Sequence, residues 1–214
     1  MLNIQRFVCN PLQENCYVVA DETRECVVID CGAFYPEERQ AVVQYINDSG
    51  LKPVHLLCTH AHIDHNFGNN TLYETFCLQP EVHKADLPLM EKLPMQAEAL
   101  LGIRLDYEMP PVGRALQETD VVRFGTHVFS IIHTPGHTPG GVFFYCKEEK
   151  VAFSGDTLFK GSIGRTDFEG GSMFQIINSL RYIAQLPDDT TVLSGHGERT
   201  TIGDELRTNP YMDR

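Results

Sequence analysis

Thr59-His60-Ala61-His62-Ile63-Asp64-His65-Asn66-Phe67-Gly68 places three histidines and one aspartate within six residues. Imidazole nitrogens and carboxylate oxygens are the donors that borderline divalent metals prefer. In extended chain, residues two apart point the same way, so His60 and His62 can chelate one ion together. Asp64 and His65 lie beyond that point, where the chain must turn, and their side chains can reach a second ion close to the first. Gly68 would let the backbone turn sharply or approach its neighbours closely. Upstream, residues 54–58 (Val-His-Leu-Leu-Cys) read as a buried strand, and residues 69–76 read as the start of a helix. The stretch is therefore a loop at a strand's C-terminal end, where α/β proteins usually place their chemistry.

The surrounding chain has the composition of a globular protein. Its 214 residues suit one domain with a sizeable core, and 42% hydrophobic with 21% charged residues is ordinary for that class. The formal net charge of −12, with no run of Lys or Arg, argues against a nucleic-acid partner. The seven cysteines are scattered without a C-x-x-C pair, and several fall in apolar strands. They read as reduced, buried thiols of a cytoplasmic protein. The first residues lack the apolar core of a signal peptide, no run is long enough to span a bilayer, and no membrane partner is expected.

Strands are expected at residues 2–9, 15–20, 26–30 and 54–58, with a helix at 36–49. Hairpin-like pairs follow at 121–124 with 127–133 and at 142–146 with 151–154. A helix at 172–184, a short strand at 192–194 and a short helix at 201–207 complete the pattern. Residues 81–112, broken by Pro88, Pro94, Pro110 and Pro111, read either as a helical insertion over the active-site face or as a cover for the core edge. Such β-then-α order favours layered sheets with helices outside. The alternating aromatics Phe143, Phe144 and Tyr145 are assigned to the core.

Two ions need more donors than the first loop supplies, and three further strand ends offer them. His137 sits in Thr134-Pro135-Gly136-His137-Thr138-Pro139-Gly140, where proline and glycine fix a tight loop. Asp156 follows Ser154-Gly155, and its carboxylate could bridge two ions. His196 lies between Gly195 and Gly197, which allow close backbone approach.

This order, His-x-His-x-Asp-His followed by His137, Asp156 and His196, resembles the metallo-β-lactamase superfamily over nearly the whole chain. Residues 134–140, 154–159, 161–168 and 195–210 bring it closer to the glyoxalase II-like (hydroxyacylglutathione hydrolase-like) branch. The resemblance implies an α/β protein with an αβ/βα four-layer sandwich, residues 1–214 forming one domain with the metals at one edge. It implies His60, His62 and His137 on one ion and Asp64, His65 and His196 on the other, with Asp156 bridging. Asp30 would support the metal-binding loop. Two close ions lower the pKa of a bridging water, and Asp64 would orient the resulting hydroxide. The implied reaction is hydrolysis of a small-molecule thioester such as S-lactoylglutathione. Zinc fits the nitrogen and oxygen donors best, and iron and manganese fit the same set.

The chain departs from that branch in two places. Full-length glyoxalase II carries a C-terminal helical domain with basic residues that grip glutathione, and residue 214 follows the last motif too soon for one. In the loop after Asp156 the basic role falls to Arg165 as a substrate contact, with a pair to Asp167 as the competing role. The tyrosine of that loop has no counterpart. Two other readings share the motifs. Persulfide dioxygenases resemble the chain over the same stretches and would use His60, His137 and Asp156 on a single iron. A non-catalytic metal-binding module would keep the fold alone.

Overall fold

The computed structural model describes residues 1–213. In chain order the elements are β1 (Asn3–Cys9), β2 (Glu14–Ala20), β3 (Glu25–Ile29), α1 (Pro36–Asp48), β4 (Lys52–Leu57), α2 (Asn69–Phe76), β5 (Pro80–His83), α3 (Leu87–Met90), α4 (Leu93–Leu101) and β6 (Arg114–Leu116). They continue as β7 (Val121–Phe124), β8 (His127–His133), β9 (Val142–Cys146), β10 (Val151–Gly155), β11 (Leu158–Phe159), β12 (Ser162–Ile163), α5 (Met173–Ile183), β13 (Thr191–Ser194), β14 (Thr200–Thr201) and α6 (Ile202–Thr208). One sheet runs β1-β2-β3-β4-β5-β6 and a second runs β14-β13-β10-β9-β8-β7.

Strand parity produces the layers. Tyr17, Val19, Val27, Ile29 and Leu57 of the first sheet meet Phe124, Phe129, Ile131, Phe144 and Phe153 of the second in a central core. The alternate residues Val18, Val28 and Leu56 face Val42 and Ile46 of α1 and Leu72 of α2. Phe143, Tyr145 and Val192 face Leu180 and Ile183 of α5 and Ile202 of α6. Both faces of the central strands are thus buried, which gives the expected four layers, helix-sheet-sheet-helix. The aromatics of β9 belong to the core, as expected. All seven cysteines are free thiols and only Cys77 is exposed. Among the described residues no helix is long and apolar enough to cross a membrane.

The stretch 81–112 differs from an irregular cover. It begins in β5, a strand paired in parallel with β4 and β6, and continues through α3 and α4. Leu93 and Ala97 of α4 pack on Ala61, Ile63 and Phe67 of the histidine loop. Gln96 locks the contact, accepting the Ile63 N–H at 3.0 Å and donating to the Ala61 carbonyl at 3.0 Å. The insertion therefore holds the histidine loop in place.

Candidate metal centre

The four expected loops converge at one edge of the sandwich, at the ends of β4, β8, β10 and β13. The His60, His62 and His137 rings stand 4.5–4.9 Å apart, centroid to centroid, and nearly perpendicular to one another. Donor atoms of these three lie within 4.8 Å of one another, and so do those of Asp64, His65 and His196. Asp156 stands between the two groups. Its Oδ1 is 3.3 Å from His65 Nε2, and its Oδ2 is 3.5 Å from His137 Nε2 and 3.6 Å from His196 Nε2. Donors held about 2.1 Å from a tetrahedral ion stand roughly 3.4 Å apart, so these spacings suit a metal.

The unused bonding capacity points the same way. Among the described residues, the Nε2 atoms of His60, His65 and His137 and the Oδ1 of Asp156 are buried without a well-aligned hydrogen bond. Leaving buried polar atoms unpaired costs about 1–3 kcal/mol each, and a shared cation removes that penalty.

Each Nε2 is made available from the other side of its ring. His137 Nδ1 is 2.7 Å from the Arg165 carbonyl, and His196 Nδ1 is 3.0 Å from the Leu12 carbonyl. A carbonyl only accepts, so Nδ1 carries the proton and Nε2 keeps a lone pair. His65 Nδ1 likewise faces Asp30 Oδ2 at 3.1 Å, so Nε2 is the nitrogen that is left to face an ion once the ring gives up its second proton. Thr59 donates its hydroxyl to Asp30 at 2.6 Å and so faces His60 Nδ1, 3.0 Å away, as an acceptor. Asp30 also accepts the Thr59 N–H at 2.7 Å. This buried aspartate thereby ties the end of β3 to the histidine loop.

Charge is divided unevenly. Burial, reinforced by His137, takes the His62 imidazole down to about 3, and burial with His65 beside it puts His60 well below the usual range. Burial opposes a proton on His65 too, but Asp156 and Asp64 outweigh it and raise that ring well above its usual value. Burial likewise works against the Asp156 carboxylate, and the facing His65, His196 and His137 overcome it and hold it low. The metal-free site thus keeps a proton where Asp64, His65 and Asp156 meet.

Two glycines are fixed by close approach. A Cβ on Gly195 would lie 2.3 Å from Asp156 Oδ1 and 2.5 Å from His65 Cε1. A Cβ on Gly68 would lie 2.4 Å from Cys31 Sγ, so proximity and not turning explains that residue.

Arg165 reaches the rim, where its Nε and Nη2 donate to Asp167 at 2.7 and 2.8 Å, and the guanidinium stacks 3.9 Å over Phe168. Three contributors were not evident in the sequence. Buried Asp86 accepts from Ala61 N–H, the Thr138 hydroxyl and Gly140 N–H, and so binds the first histidine loop to the His137 loop. Gln96 clamps the first loop. Glu14 is fully buried, with Oε1 3.9 Å from His65 Nδ1 and neither oxygen paired. None sits in a Gly/Pro-framed motif, so only chain closure reveals them.

A hydroxyacylglutathione hydrolase named GloC, from Haemophilus influenzae, is 36% identical over 214 residues and 99% of each chain. The crystal structure of BLEG-1, a B3 metallo-beta-lactamase, is 34% identical with a TM-score of 0.88 and 99% of each chain covered. TTHA1623, solved in a di-iron-bound form, is 38% identical with a TM-score of 0.86, covering 97% of this chain and 100% of its own. The family profile described as the metallo-beta-lactamase superfamily matches residues 9–196, and the chain belongs to that superfamily.

Proposed function

We propose that the chain is a cytoplasmic binuclear metal-dependent hydrolase of small-molecule thioesters, with S-lactoylglutathione as the reference substrate. Nucleic acid and membrane have no part in this reading. Its main support is the set of buried, unpaired donors facing one space, His60, His65, His137 and Asp156. His60, His62 and His137 would hold one divalent ion, Asp64, His65 and His196 the other, and Asp156 both. Zinc and iron both suit these donors. The name of the Haemophilus influenzae relative supports a thioester, and the di-iron form of TTHA1623 supports two ions.

When bound, such a pair supplies an activated water at neutral pH and polarises a carbonyl oxygen. The chain supplies the rest. Asp64, with its Oδ2 3.2 Å from His196 Nε2 and 3.6 Å from His65 Nε2, can take the proton of the attacking water and orient it. The mouth, about 470 Å³, is lined in part by Leu12, Leu100, Phe159 and Phe168 and lets the acyl carbon approach that point. Water adds to the carbonyl carbon, the C–S bond breaks, and the sulfur leaves as a thiolate that needs little protonation at neutral pH. Arg165, screened by Asp167, is assigned to the substrate's polar end at the rim.

Metal per chain, measured on protein purified without chelator, tests the reading together with thiol release from S-lactoylglutathione. About two ions with thiol release supports it. One iron with oxygen uptake on glutathione persulfide makes the chain a dioxygenase. Likeness to BLEG-1 supports a second reading, β-lactam hydrolysis, and turnover of a chromogenic cephalosporin without thioester cleavage would establish it.

A further inference from the structure

Helix α4 is apolar on two faces. Leu93 and Ala97 are buried against the histidine loop, while Met95 is 68% and Leu100 48% exposed. A helix that is apolar beyond its core stripe covers a second surface. Here that surface is a groove of about 240 Å³ bordered by Leu89, Met95, Leu100 and Phe168. It is continuous with the metal-site mouth, because His62, Leu100 and Phe168 border both. Phe168 is pinned on this side, edge-on to His62 at 5.6 Å and under the Arg165 guanidinium. The Lys92–Glu169 ion pair, at 2.5 Å, joins α4 to the loop carrying Phe168, so the charged groups of the groove satisfy each other. The wider limb of the mouth runs past Leu12, Phe159 and Arg165 and has room for a polar carrier.

We propose that this groove binds the apolar chain of the acyl group, making the substrates thioesters of unbranched acyl groups of about six to eight carbons. The inference rests on the thioester hydrolase reading. A cavity of ~150 Å³ admits benzene, so one of about 240 Å³ accommodates a chain of that length. A two-carbon hydroxyacyl tail would leave it empty.

Straight-chain carboxylates from acetate to dodecanoate, titrated by calorimetry into metal-loaded protein dialysed free of excess metal, provide the test. The carboxylate mimics the acyl product, and its chain reports on the groove. Affinity should rise about fourfold per methylene and level off near eight carbons, as expected when each buried methylene is withdrawn from water. Leu100→Asp and Met95→Asp should abolish that gain at wild-type metal content. Their exposure makes both changes compatible with folding. Affinity independent of chain length, or a gain that survives both substitutions, overturns the proposal. Acetyl- to octanoyl-thioesters on one carrier are assayed in parallel. Chain-dependent carboxylate binding without thioester cleavage would overturn the hydrolase reading and leave the groove assignment standing. Thioester cleavage with flat carboxylate affinity would do the reverse.

Discussion

Of the clusters of histidines and carboxylates among the described residues, two can be set side by side, the candidate metal centre and a second around His83 and His133. At the sandwich edge the His60, His62 and His137 rings are nearly perpendicular, and each anchored ring presents an Nε2 lone pair to a shared space. Near the ends of β5 and β8, His83 and His133 also share a carboxylate, Glu118, at 3.5 and 3.2 Å. Those two rings are stacked, 4.1 Å apart and 24° from parallel, and their near nitrogens both face Glu118 Oε1, whereas the three rings at the sandwich edge are set nearly perpendicular. The proton positions differ as well. Ala85 N–H faces His83 Nδ1 at 3.4 Å, which makes Nδ1 the acceptor and leaves the proton on Nε2, turned towards Glu118. The Lys84 ammonium, 3.6 Å from Glu118, adds a positive charge that repels a cation. Residue type and proximity are alike in the two clusters. The hydrogen bond on the far side of the ring sets His83 apart from the histidines of the centre, whereas His133, with its Nε2 2.8 Å from the Pro139 carbonyl, keeps a lone pair as they do and differs in its neighbours.

The largest effect expected from this contrast is on metal content. On the proposed binuclear reading, Asp156→Ala should drop bound metal from two ions per chain to one or none and cut thioester hydrolysis on the order of a thousandfold. His133→Ala and Glu118→Ala should leave the metal content at two. Elemental analysis of the three variants reads both halves of the comparison at once. A loss of metal in Glu118→Ala would erase the distinction.

Asp30→Asn tests the far-side hydrogen bond itself. An amide that turns its NH₂ towards His65 can no longer accept the Nδ1–H, and the ring loses its orientation. Metal affinity should fall about 10- to 100-fold, the usual cost of losing such a partner. A competition titration against a chromophoric chelator measures it. Replacing Thr59 by Val should act in the same direction, because Thr59 relays Asp30 to His60.

The residues that meet at the candidate metal centre were legible in the sequence because each stands in a short loop framed by glycine or proline directly after an apolar strand. His137, Asp156 and His196 could be matched by position alone. The layers were legible as well, because apolar strands at 15–20, 26–30 and 54–58 interleave with a helix at 36–49, an order that favours sheets with helices outside. Strands β5 and β6 were not legible. They have four and three residues, β5 opens on proline, and Glu81 and Arg114 interrupt any apolar run. Their pairing comes from a parallel neighbour distant in sequence, which local pattern does not encode. Asp86, Gln96 and Glu14 escaped for a related reason. Their partners are backbone groups and rings brought near only when the sheets close.

Protons separate the clusters next. His65 has a raised pKa in the metal-free chain, so it is charged at neutral pH and must lose its proton to bind an ion. Zinc uptake near pH 7 should release about one proton per chain, seen as a dependence of the calorimetric enthalpy on buffer ionisation heat. Affinity should weaken as pH falls. His83 has the opposite shift, lowered by burial and by His133. Its neutral form is favoured in the folded state, so its contribution to stability is present above the unfolded value near 6.5 and lost as pH falls through the folded value. His83→Gln should therefore flatten the loss of thermal stability between pH 7 and 5. Proton release on zinc addition should be the same in that variant, since His83 lies outside the centre.

The smallest effect concerns the glutamates beside the two clusters. Glu118 is half exposed and ion-paired, whereas Glu14 is fully buried beside His65 with both oxygens unpaired. Burial raises the Glu14 carboxyl well above its usual value, with Asp30 adding to the rise and His65 opposing it. A raised carboxyl means that the folded state holds the proton more tightly than the unfolded chain. Stability from that group is present below the unfolded value and declines as pH rises towards the folded one. Glu14→Gln removes the decline while keeping the shape. The metal-free variant should be more stable than wild type by about 1 kcal/mol at pH 7–8, with the gap closing towards pH 4. Glu118→Gln should show no such gap, because its carboxylate meets solvent. Thermal melts of both variants at three pH values compare them directly. Destabilisation of Glu14→Gln at pH 8 would mean that the carboxylate stabilises a protonated His65, and the two clusters would then share the ion-pair logic that sets the second apart here.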